Sequence, residues 1–210
     1  MTRFKRIFAF LLLPVFLFGC ASTDYSQLQS ERPVRILVVP PDNQTPELMG
    51  TYTFLSTISK PLAEKGYYVY PVDVVDQYFK ANGVALAQEM NLVPMEKINE
   101  QFAPDAVLYT RLDYFGQKFA IFASFGLIQG EMRLVSAKTG KLLWKHPIQF
   151  SEQQQNSSGN PLADLLGAVI GQALAGLADS KFFKLSAGAN ANAINNPASG
   201  LLQGPLIQSK

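Results

Sequence analysis

The chain has 210 residues, with 18 Lys and Arg against 16 Asp and Glu, one cysteine and one histidine. A lone cysteine has no partner for an intrachain disulfide, a lone histidine cannot form a two-histidine metal site, and a net charge of +2 lacks the basic excess of a nucleic-acid binder. Even that excess sits at the start: Arg3, Lys5 and Arg6 precede Cys20 and no acidic residue does, so the remainder carries 15 basic against 16 acidic residues, a net −1.

The basic start is followed by an apolar run from Ile7 to Phe18, interrupted only by Pro14, which reads as a secretory signal over residues 1–19. At about twelve residues the run is too short to span a bilayer, which takes about twenty. Leu17-Phe18-Gly19-Cys20 resembles the lipobox of bacterial lipoproteins. That resemblance implies cleavage between Gly19 and Cys20 and acylation of the Cys20 thiol; Phe18 is bulkier than the motif usually carries at its second position. Ala21 stands where a retaining Asp would mark the inner membrane, so the resemblance implies an outer-membrane lipoprotein facing the periplasm. One acyl chain binds only marginally, and several make the anchor effectively permanent. No cofactor beyond this lipid is expected.

Residues 20–32 are polar without apolar periodicity and read as a tether, able to reach roughly 40 Å at about 3.5 Å per residue. A folded domain is expected over 33–150. Ile36-Leu37-Val38-Val39, bounded by Pro33 and Pro40-Pro41, is an apolar run without alternation, as in a strand buried on both faces; Pro40 to Asn43 should form a loop. Leu48, Tyr52, Leu55, Ile58 and Leu62 step by three and four and predict a helix to Glu64, with a kink or restart at Pro61. Gly66 suits the left-handed position past the helix end, and Tyr67 to Tyr70 follows as a strand parallel to the first. Asp73 is placed to cap a helix from Val74 to Lys80, with Asp76 beside it as a dipole partner. Val84 to Met90 suggests a helical turn, and Pro94 starts a helix ending at Phe102.

Alternation of helix and strand then stops. Residues 106–115, 118–136 and 141–150 predict an antiparallel meander, with Lys138-Thr139-Gly140-Lys141 as its clearest hairpin turn. The expected fold is α/β (α+β): a mixed sheet from a β-α-β-α-β first half and a meander, plus a carboxy-terminal helix. Val38 to Asn43, Pro61-Leu62-Ala63-Glu64-Lys65-Gly66-Tyr67-Tyr68-Val69-Tyr70-Pro71, Pro104 to Tyr109 and Thr139 to Trp144 together resemble a family of bacterial lipoproteins of unknown function. The resemblance covers about 33–150 and implies a fold like the TolB amino-terminal domain and the periplasmic domain of the curli-secretion lipoprotein. It implies no catalytic residues.

Tyr114 to Ile128 is the most apolar stretch after the signal and holds Phe115, Phe119, Phe122 and Phe125. Read as one strand, Phe119, Ile121, Ala123 and Phe125 would share a face, either as an exposed aromatic patch for a partner or the membrane, or as the sheet face beneath its helices. Residues 151–160 read as a linker. From Pro161 to 185 a helix is expected, with Ala163, Gly167, Gly171 and Ala175 in one small-residue stripe packed on the domain or on a second copy. The Ala-, Asn- and Gly-rich segment 186–210 is expected to be disordered.

No nucleophile elbow, phosphate-binding loop or metal cluster stands out. His146 is expected at the surface near a strand end, and Asp73, Asp76 and Asp113 are the remaining acids considered for chemistry. The expected function is a non-catalytic binding or assembly subunit of an envelope or export complex, with protein partners or a homo-oligomer, a membrane contact through the lipid and no nucleic acid. An envelope enzyme is the alternative. A pore subunit comes third, because two spanning strands need about ten residues each and 114–128 falls short.

Overall fold

The computed structural model describes residues 23–120, 123–152 and 180–207. Strand β1 (Arg35–Val38) lies at the centre of the sheet's parallel half. Ile36 and Val38 enter one hydrophobic layer while Leu37 and Val39 enter the other, none more than 2% exposed. A run apolar at every position is what two covered faces require.

Helix α1 (Ser26–Glu31) precedes β1, and β2 (Asp42–Asn43) follows it. Next come α2 (Gly50–Glu64), β3 (Tyr68–Val69), α3 (Val72–Ala81), α4 (Ala87–Met90) and α5 (Met95–Phe102). The chain then forms β4 (Ala106–Ala120), β5 (Ala123–Ser136), β6 (Leu142–Ser151) and α6 (Ser180–Asn195). The sheet order is β3-β1-β4-β5-β6, with β2 also on β4. β3 and β4 flank β1 in parallel, whereas β4, β5 and β6 pair antiparallel. This is the mixed sheet expected from a crossover half followed by a meander. Helices α1, α2 and α6 contribute to one layer and α3, α4 and α5 to the other.

Several boundaries move for identifiable reasons. The Pro40 to Asn43 loop contains β2, whose Asp42 and Asn43 pair with Arg111 and Leu112. Helix α2 runs through Pro61 without a restart; the missing N–H forgoes one bond, to Thr57 O, and the Pro61 ring is itself buried. Leu48 precedes this helix and is 83% exposed, so the buried face is Phe54, Leu55, Ile58 and Leu62. Gly66 has φ +91°, and a Cβ there would lie 2.6 Å from the Ile207 side chain. Asp73 does not cap α3, which is entered from Pro71 without a side-chain cap; Asp73 lies in its first turn instead. Asp76 bonds Lys80 at 2.6 Å.

The meander is longer than expected at its first turn. β4 continues through Gly116 to Ala120, and Lys118, Phe119 and Ala120 pair with Phe125, Ser124 and Ala123. Tyr114 to Ile128 is therefore two strands of a hairpin rather than one strand, and Phe119 and Phe125 stand on opposite arms. Gly130 lies opposite Leu112, and the register then shifts so that Tyr114 faces Gln129. At Gly130 the Arg111 carbonyl oxygen approaches so closely that a Cβ on residue 130 would sit 2.0 Å from it.

Two segments expected to be loose are part of the fold. In the tether, Leu28 is 3% exposed, Tyr25 packs against the core, and the Tyr25 hydroxyl donates to Gly200 O at 2.6 Å. The Glu31 carboxylate accepts from the Ser136 hydroxyl and, at 2.8 Å, from Thr139 Oγ1. In the tail, α6 lies along α2 and β6, burying Leu185, Ser186, Ala189, Asn190, Ala193 and Ile194. These positions recur at helical spacing, and the small side chains of Ser186, Ala189 and Ala193 leave room for close packing. After α6 the chain returns as a strap. Trp144 Nε1 donates to Ser199 O at 2.9 Å, Tyr67 donates to Leu202 O at 2.9 Å, and Gly204 N donates to Lys65 O at 2.7 Å. The expected linker beyond Glu152 and the helix before Ser180 lie outside the described residues.

Candidate functional site

On the α3–α4–α5 side the described helices cover only the parallel half of the sheet, and among the described residues the antiparallel half is left open. Period-two alternation directs Tyr109, Arg111 and Asp113 of β4 to this face. Glu131 and Arg133 come from β5, and Lys145 and Gln149 from β6. Their apolar neighbours Leu108, Leu112, Met132, Leu134, Trp144, Ile148 and Phe150 fill the opposite layer. Cross-strand register sets Arg111 against Glu131, and Glu131 against Pro147.

The charges on this face satisfy one another. Arg111 Nε lies 2.8 Å from Asp113 Oδ1, Lys145 Nζ 2.7 Å from Glu131 Oε2, and Arg133 Nε 3.8 Å from Glu131 Oε1. Asp113 raises the Arg111 pKa further through its hydrogen bond. Burial raises the Tyr109 hydroxyl, and the Arg133 charge opposes that rise. Exposed pairs of this kind each contribute about 0–1 kcal/mol to stability, so an incoming charged partner can re-pair them at little cost. Between this face and α4 runs a groove of about 550 Å³, bordered by Gln44, Gln88, Asn91 and Leu92. Leu92 is 81% exposed and gives the rim an apolar contact.

The residues singled out from sequence scatter. Gly19, Cys20, Phe122, Gly167 and Gly171 lie outside the described residues, as does the Phe119 side chain. Phe115 is not a surface residue: it is 4% exposed, its ring centroid is 5.4 Å from that of Phe182, and it abuts Gly50. The docking of α6 on the sheet buries it. Phe125 is half-buried beside Lys118, Leu127, Gln129 and Gln149.

His146 is also not at the surface. It is 5% exposed and stacked on Trp144 at 5.7 Å and 7°; its Nδ1 lies 3.2 Å from Ser199 O and 3.1 Å from Ser199 Oγ. Burial lowers its pKa, and the Ser199 contact offsets part of that. Asp73, Asp76, Asp113 and His146 stand on α3, α3, β4 and β6, each acid or imidazole except Asp73 already engaged within the fold. Among the described residues no group of three or more His, Cys, Asp or Glu is placed to hold a metal, and no helix is long and apolar enough to cross a membrane. The charged face was missed, although Arg111-Leu112-Asp113 and Glu131-Met132-Arg133-Leu134 alternate strictly and carry the signal.

The described residues thus form a small α/β domain with one helix-covered sheet half and one open charged half. The particular family follows from comparison: the pattern described as "Putative lipoprotein GNA1162-like" matches residues 23–206, and the chain belongs to this GNA1162-like lipoprotein family. A relative from Neisseria meningitidis serogroup B, "Putative lipoprotein NMB1124/NMB1162", is 36% identical over 183 residues, covering 87% of this chain and 85% of its own. The crystal structure of lipoprotein GNA1162 from Neisseria meningitidis is also 36% identical and superposes with a TM-score of 0.56, over 69% of this chain and all of that one.

Proposed function

We propose that this lipoprotein is anchored by acylated Cys20 to the periplasmic face of the outer membrane and works by binding, as a non-catalytic assembly subunit of an envelope or export complex. The observation that carries the reading is the open face of β4, β5 and β6. Among the described residues it is uncovered, bears alternating charges, and adjoins a groove with an exposed leucine on its rim. Its ion pairs contribute too little to folding for stability to be their main consequence. Electrostatic complementarity at such a face gives partner choice and fast encounter.

The test is native mass measurement after mild-detergent extraction of the full-length protein, with Lys145→Glu and Arg133→Glu introduced together. The wild type should appear in species heavier than the monomer, and the variant should lose them while keeping its circular dichroism. A wild-type monomer with no co-extracted partner, or heavier species indifferent to the charge reversal, would sink the proposal.

A further inference from the structure

We infer that the face formed by α1 and the carboxy-terminal strap rests on the anionic headgroups of the lipid bilayer, so that the domain is held in one orientation on the membrane. The inference rests on acylation of Cys20 and adds a lipid-contacting surface to it. Its first ground is the length of free chain. The fold begins at Tyr25, whose hydroxyl is bonded to Gly200 O, so five Cα steps separate Cys20 from the body. At about 3.5 Å each they span at most about 18 Å, whereas a domain of this length has a radius of gyration of about 15 Å and is roughly 40 Å across. A leash shorter than the body keeps the Tyr25 side next to the bilayer.

The second ground is the chemistry of that side. Gln29 and Arg32 of the α1 segment face Leu202, Gln203, Pro205 and Ile207 of the strap across a groove of about 470 Å³. Leu206 is 55% and Ile207 38% exposed at its edge. Arg32 is exposed and has no ion pair among the described residues, unlike Arg111 and Arg133 on the open face. Its left-handed backbone, φ +44°, ends α1 and turns the chain into β1. An unpaired guanidinium beside exposed aliphatic side chains matches a headgroup region, in which the cation meets phosphate and the aliphatics meet the upper acyl chains. By contrast the open face carries its cations already paired.

Cys20 is the only cysteine and is consumed by the lipid, so an introduced cysteine is a unique labelling site. Gln29→Cys, Gln203→Cys and, on the open face, Gln149→Cys each replace an exposed glutamine. The full-length lipidated variants are labelled with an environment-sensitive fluorophore and placed in vesicles of phosphatidylethanolamine and phosphatidylglycerol carrying a headgroup-linked quencher. Quenching should be several-fold stronger at positions 29 and 203 than at 149, and Arg32→Glu should weaken it at both. Equal quenching at the three positions, or stronger quenching at 149, with the protein still floating with the vesicles, overturns the orientation and leaves the anchor standing. Failure of the unlabelled protein to float overturns the anchor and the orientation together. Protection of 29 and 203 that requires an added protein instead of lipid assigns the face to a protein partner and also overturns the inference.

Discussion

Replacing Asn190 by alanine tests whether the carboxy-terminal helix is an integral part of the fold. Asn190 is fully buried between α6 and α2, and its Nδ2 donates to Phe54 O at 2.9 Å and to Thr57 Oγ1 at 2.8 Å. Two hydrogen bonds contribute about 1 kcal/mol each, and the shortened side chain adds a cavity cost on the order of 0.5 kcal/mol. Against this, Asn190 Oδ1 is buried without a partner among the described residues, and deleting it returns on the order of 1 kcal/mol. Neither partner is orphaned, because Thr57 Oγ1 still donates to Phe54 O at 3.1 Å. The net expectation is a loss of about 1–2 kcal/mol, or about 3–6 °C in Tm for a domain of this size. Urea titration of the Cys20→Ser domain should show a lower midpoint at an unchanged slope. Thr57→Val in the same background should couple to it in a double-mutant cycle. A midpoint identical to wild type, with no coupling, would refute the docking of α6 on α2.

The buried imidazole of His146 has a pKa held below its ordinary value by burial. The folded state thus favours the neutral ring: its contribution is fully present above about pH 6.5 and declines as pH falls toward the folded pKa, by up to about 1.4 kcal/mol per pH unit. His146→Phe should remove that part of the acid dependence in urea titrations at successive pH values. Burial pushes the Tyr67 hydroxyl up to about 12, so folding stability should be complete below about pH 10 and fall as pH rises toward 12. Ultraviolet absorption titration should show late-ionising tyrosines, since burial also raises Tyr70 and Tyr109, and Tyr67→Phe should remove the component near pH 12 at a cost of about 1 kcal/mol for the lost bond to Leu202 O. Phe115→Ala should destabilise by about 3–5 kcal/mol as a core truncation, measured by thermal melting; an unchanged Tm would return Phe115 to the surface.

Legibility followed the kind of signal each element carries. β1 was readable because four consecutive apolar residues between prolines leave little but a central strand, and Gly66 because only a left-handed turn links α2 to β3 so tightly. The Thr139-Gly140 turn was readable from its glycine. Helix α6 was not, because Ser186, Ala189, Asn190 and Ala193 pack by closeness rather than by apolar area, and composition cannot distinguish a helix that packs closely from one that cannot pack at all. Helix α1 hides in a polar segment whose single large buried aliphatic side chain is Leu28. His146 was legible but misread: Trp144, His146, Ile148 and Phe150 occupy one face at period two, which places the imidazole in the core. The charged face needed the polar half of the same alternation, together with the knowledge that α3, α4 and α5 stop short of β5 and β6.

The entry of the chain at α1 has a mechanical consequence. Tension on Cys20 does not peel an edge strand from the sheet. It is first opposed by the bonds of Tyr25 and Glu31 and by the burial of Leu28. Past these it reaches β1, which has a parallel neighbour on each side. Pulled along its own length, such a strand loads the hydrogen bonds of both ladders together, in shear, so none can open singly ahead of the rest. Tension arriving from Cys20 is thereby met inside the sheet instead of at its edge.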